Sequence, residues 1–190
     1  MPKLPNFAAS KHINTNLMKK IVLRYGLLAG PISMIGFALT ATHIVDSKYG
    51  MLVGYASMIV AFSLIYVAIV NYRDNYNGGT IRFGKAFVIG LYIALIASTV
   101  YVVIWLISYY FFMPDYLDKY IANYLAELKA GGASAEKIKA ETAEMAGYIE
   151  MYKNPFLNAL ITYTEILPVG LIVSLITAAI ARKQTKTAQL

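Results

Sequence analysis

Four long apolar stretches alternate with short polar ones along this chain. They cover about 22–45, 51–72, 83–113 and 156–181. Segments 51–70 and 86–107 carry no charge. Helices this uniformly apolar have no polar face to show to water, and about twenty residues at 1.5 Å each cross roughly 30 Å of hydrocarbon. The pattern therefore predicts an all-α integral membrane protein with four transmembrane helices. The third stretch is longer than a bilayer needs. Its end, from Trp105 through Tyr109, Tyr110, Phe111 and Phe112, has the composition of an interfacial aromatic belt, so the helix is expected to emerge there.

The polar segments differ in kind. Residues 1–17 lack helical periodicity and contain two prolines, which predicts a flexible cytoplasmic tail; 184–190 form a second short tail. Met18, followed at once by Lys19, Lys20 and the first span, is a candidate alternative start to Met1, and the sequence leaves the choice between them open. The transmembrane domain is expected over 18–183. Between the third and fourth spans, 114–153 hold seven acidic and five basic residues. Leu117, Ile121, Tyr124, Leu125 and Leu128 mark one helical apolar stripe, and Ile138, Met145, Ile149 and Tyr152 another. Gly131-Gly132-Ala133-Ser134 separates them, with Gly suited to end a helix and Ser134 to cap the next. The reading is an antiparallel helical hairpin that does not span. Asn77-Gly78-Gly79 marks a tight turn between the second and third spans. Pro31 should kink the first helix.

Charge placement orients the chain. Of seventeen Lys and Arg, eleven fall in the stretch through Arg24, the 72–85 connection and the C-terminal end. By the positive-inside rule both termini are cytoplasmic and the hairpin is extracytoplasmic. A formal charge of +7 would otherwise suggest nucleic acid, but no basic stripe with interleaved aromatics lies outside the spans. The apolar run from Tyr25 is too long for a signal-peptide core. The chain has no cysteine, which excludes thiolate catalysis and Cys-based metal sites.

Glu165 is the single charged residue well inside a span, and a charge at that depth costs about 2.5–3.5 kcal/mol on insertion scales. It should be neutral, paired or wet. Asn158 and Thr162 precede it at helical spacing. Ser63, Ser98 and Thr99 lie at a similar depth, with Tyr101 slightly further out; these are the expected hydrogen-bond partners. Pro168 is expected to open the helix locally beyond Glu165. His43, Trp105, Arg82 and Lys85 read as membrane-edge residues, Arg82 and Lys85 contacting lipid headgroups. The 78–85 stretch lacks the spacing of a phosphate loop. No metal-ligand cluster and no cofactor site is expected, nor a nucleophile elbow or a pair of carboxylates at catalytic spacing. Gly26/Gly30, Gly90/Ala94/Ser98 and Gly170/Ser174/Ala178 suit close helix packing, and the last two faces equally an oligomer interface.

The segments NGGTIRFGKAFVIGLYIALIASTVYVVIWLI, FMPDYL, EMYKNP and TYTEILPVGLIVSLI resemble the domain of unknown function 4199 family over about 18–183. Its members are small four-span proteins encoded chiefly in Bacteroidota. The resemblance implies a bacterial inner membrane and supplies no catalytic residues. The expected function is a non-enzymatic structural or accessory role in the lipid bilayer, with the hairpin contacting a membrane or periplasmic partner. The alternative is a small oligomeric transporter or ion- or proton-conducting protein centred on Glu165.

Overall fold

A computed structural model describes residues 7–41 and 49–183. In chain order the helices are α1 (Phe7–Ser33), α2 (Ile35–Ala41), α3 (Gly50–Tyr76), α4 (Phe83–Ile107), α5 (Tyr116–Ala130), α6 (Ala135–Lys153) and α7 (Pro155–Ala181). A single π-helical turn, Ser108–Phe112, extends α4. No β-strand occurs among the described residues; one antiparallel bridge joins Ile81 to Lys183. Four segments are long and apolar enough to cross a membrane: Asn16–Ala41, Gly50–Tyr76, Phe83–Phe112 and Pro155–Ala181. This is an all-α membrane protein with four candidate spans. Its residues fall into two compact units, one up to Tyr101 and again from Glu165, the other Val102–Thr164.

The first span differs from its expected form at both ends. Helix starts at Phe7 rather than near 22, so much of the segment read as an irregular tail is helical; its Ala8, Ala9, Lys11 and Leu17 are good helix formers and can propagate a helix back from an apolar span. The kink expected at Pro31 takes the form of a break three residues on. The Met34 N–H bonds to Pro31 O at 3.1 Å, a tightened turn, and α2 resumes at Ile35. Ser57 of α3 reaches across the break, its hydroxyl proton shared between Ser33 O at 3.0 Å and Gly54 O of its own helix at 2.7 Å. A carbonyl released by the break is thus satisfied inside the protein, as a bilayer requires.

In the first unit, small residues set how closely the helices approach. A Cβ at Gly26 would lie 2.8 Å from Ile96 Cβ, and one at Gly30 only 2.5 Å from Val100 Cβ, so α1 rests directly on α4. Gly170 of α7 meets Ala94 and Phe62, and Gly90 of α4 meets Ser174. The small-residue faces therefore pack the helices of one chain against each other. Phe62, Ile65, Ile69, Ile89, Ile93 and Ile166 fill the space between, all with no exposed surface.

In the second unit the two apolar stripes of 114–153 form the expected hairpin. Gly132 takes φ +78°, which closes the turn. The Ser134 hydroxyl caps α6 by accepting from the Lys137 N–H at 3.3 Å. Tyr124 of α5 donates to Glu141 of α6 at 2.9 Å, and that bond pushes the Tyr124 phenol pKa up. Ile121 is buried, whereas α6 has no buried residue.

Candidate functional site

The polar residues placed near Glu165 by depth do not gather around it. Ser63 is exposed, and its hydroxyl donates to Val60 O at 2.6 Å. Thr99 is also exposed and donates to Leu95 O at 2.8 Å. Both bonds turn back onto the residue's own helix, a common resting state for helical hydroxyls. Ser98 is fully buried with its Oγ unpartnered, and Tyr101 is 8% exposed. Glu165 itself lies on the exposed surface of α7, and among the described residues it has no hydrogen bond and no ion pair. Helix α7 continues unbroken through Pro168.

Asn158 and Thr162 belong to a different cluster, in the second unit. Asn158 is fully buried and Thr162 nearly so. The Asn158 Oδ1 accepts from the Trp105 indole N–H at 2.9 Å and from the Thr162 hydroxyl at 3.3 Å. Its Nδ2 donates to the Tyr110 hydroxyl at 3.5 Å, and Tyr110 donates in turn to Tyr152 O at 2.6 Å. Trp105 packs edge-on against Tyr116, and Tyr109 edge-on against Tyr152. Trp105, read as a membrane-edge anchor, is thus an interior hydrogen-bond donor with 8% exposure. The π turn explains how. An extra residue per turn, closed by Met113 N–H to Ser108 O at 2.9 Å, separates Tyr109 and Tyr110, which turn into the cluster, from Phe111 and Phe112, which are more than 70% exposed. Sequence reading grouped all four as one belt. The signal available for Tyr110 was only its aromatic character, and for Tyr152 its place on the second apolar stripe.

In the first unit, Arg82 and Lys85 are exposed. Lys85 donates to Asn77 Oδ1 at 2.9 Å and stands 4.7 Å over the Tyr72 ring. Arg73 pairs with Asp74 and donates to Ala181 O at 2.9 Å. His43 lies outside the described residues. Among the described residues no three His, Asp or Glu side chains cluster as metal ligands would. The Asn158 cluster joins an amide, an indole and hydroxyl groups chiefly to one another and includes no histidine or carboxylate, the arrangement of a structural brace.

No match was found among curated proteins or among solved structures. The family described as protein of unknown function (DUF4199) matches residues 24–183, from within the first span to two residues past α7. That stretch contains the first span from Arg24 onward, the other three spans, the hairpin and the Asn158 cluster, and this chain belongs to that family.

Proposed function

We propose that this chain is a non-enzymatic, multi-pass accessory protein of the bacterial inner membrane that presents its α5–α6 hairpin to a protein partner outside the cytoplasm. The observation that carries this reading is α6, a helix of 19 residues with no buried side chain. A helix of that length contributes little to a core, and its charged outer face is exposed and available to another molecule. The hairpin's apolar stripes face inward and its turn is capped, so the surface it offers is polar and compatible with water. Both termini are cytoplasmic, on the strength of the Lys and Arg distribution. What weighs against the transport reading is that Ser63 and Thr99 bond to their own helices rather than to Glu165.

Sidedness is tested with single cysteines, which the cysteine-free chain makes clean. A membrane-impermeant maleimide should label Ala140→Cys on spheroplasts, and Asn77→Cys only after the membrane is permeabilised; the reverse pattern would invert the topology. The contact itself is tested with photoreactive residues at Ala140, Ala143 and Gly147, all exposed on α6. A discrete adduct of one mass is expected from these sites and none from Ile59, on the apolar surface of α3. Should all three α6 positions stay adduct-free in a correctly inserted protein, the hairpin is not the contact surface.

A further inference from the structure

We infer that Glu165 is one half of a contact between two copies of this chain, in which α7 meets α7 and the two Glu165 carboxyl groups hydrogen-bond to each other within the membrane. Three observations converge on it.

The first is that the chain cannot bury Glu165 by itself. It is the eleventh residue of a 27-residue helix, about 15 Å from the helix start, so it sits well inside the span from either end. The side of α7 packed on α3 and α4 carries Ile166, Gly170 and Ser174. Glu165 is one residue, about 100°, round the helix from Ile166. Turning it inward would carry Gly170 away from Ala94 and Phe62, where a Cβ would find only 2.8 to 2.9 Å. No other residue offers the shape that contact needs.

The second is that the chain holds no counter-charge. Segments 51–70 and 86–107 carry no charge, 25–41 has none, and 156–181 has Glu165 alone. A lone charge facing lipid costs about 2.5–3.5 kcal/mol on insertion scales, so an outside partner is favoured.

The third is the surface around it. Pro168, Ile172, Leu175 and Ile176 are exposed and apolar. Thr164, the exposed polar neighbour, bonds back to Ile161 O at 2.6 Å, so Glu165 is the one ionisable group in this surround. Such a patch is complementary to itself about a two-fold axis near that group. A carboxyl that keeps its proton is both donor and acceptor, so a second copy supplies what the first lacks. A partner chain with a base at this depth would have to carry an unpaired charge in its own span; a second copy brings none, since two carboxyls satisfy each other by sharing protons.

The test follows association of full-length protein in liposomes. With Ile172→Cys, two turns from Glu165 on the same side, oxidation should give a disulfide-linked dimer, and Ile59→Cys on α3 should not. Glu165→Gln keeps a donor and an acceptor and should keep the dimer. Glu165→Leu removes both and should raise the dissociation constant, read by energy transfer between labelled copies, roughly tenfold. Glu165→Ala serves as a second loss variant should leucine perturb insertion. The inference is overturned by monomers throughout, by a dimer that leucine and alanine leave intact, or by an Ile172→Cys adduct in native membranes made to a different protein. The hairpin proposal is read from adducts at α6 and stands or falls separately.

Discussion

An Asn158→Leu variant is expected to lose about 1–3 kcal/mol of stability, the penalty for stranding a buried donor. The Trp105 indole N–H has Asn158 Oδ1 as its acceptor at 2.9 Å, and leucine, of similar size, fills the space without accepting anything. The Thr162 hydroxyl also loses a contact, though it retains Asn158 O, a backbone acceptor that the substitution keeps. Trp105→Phe removes the donor instead and leaves Asn158 with Thr162 and Tyr110. The combined Trp105→Phe, Asn158→Leu protein should therefore be more stable than the two single effects sum to, because neither half of the bond is then left orphaned. Thermal unfolding in detergent, followed by near-ultraviolet circular dichroism, measures all three. Strict additivity of the two losses would show that Asn158 and Trp105 are not coupled.

Gly36→Ala should be costly for a different reason, by about 1–3 kcal/mol of overpacking. A Cβ there would lie 2.6 Å from Val53 O, 2.7 Å from Ser57 Oγ and 2.9 Å from Gly54 Cα. Two of those three atoms are backbone of α3 and cannot rotate aside, so α2 must back away. The third, Ser57 Oγ, is the group that satisfies Ser33 O across the helix break, so the displacement also threatens the bond that keeps the break dry. Gly54→Ala is the internal control. It adds the same methyl to α3, where nothing lies within 4 Å, and should be neutral or stabilising by about 0.5–1 kcal/mol through the better helix former. Equal midpoints for the two alanine variants in the same unfolding assay would refute close contact at the α2–α3 crossing.

The spans and the hairpin were legible because they rest on signals that survive without tertiary context. A run such as 86–107 without a charge has only one comfortable solvent, and the α5 and α6 stripes repeat at the helical period. Rotation about the helix axis was not legible. Depth places Ser63, Ser98, Thr99 and Glu165 at one level, but whether they face one another depends on azimuth, which packing decides. On α7 the buried row runs Asn158, Thr162, Ile166, Gly170, Ser174, Ala178 in steps of four. Such a row drifts about 40° per step, so it leaves Glu165 outside although Asn158, seven residues earlier, begins on the same side. The break after Pro31 was visible as a proline, but its repair by Ser57 was not, since Ser57 lies 24 residues away on another helix. The π turn was hidden for a related reason: composition reports four aromatics in a row, and only the backbone says which two turn inward.

The bridge between Ile81 and Lys183, with N–H to carbonyl distances of 2.8 and 3.0 Å, bears on how the protein is made. It stitches the turn between α3 and α4 to residues just past α7, and Arg73 adds a bond to Ala181 O. Those partners leave the ribosome about a hundred residues after the turn they fasten. Until then Ile81 lacks its backbone partners and Arg73 has Asp74 but not the Ala181 carbonyl, and the fastening closes only once the last helix is in the membrane. A reporter fused directly after Ala181 would sever that stitch, whereas one placed beyond Lys183 would leave its backbone partners in the chain, a difference that decides where such a protein is best tagged.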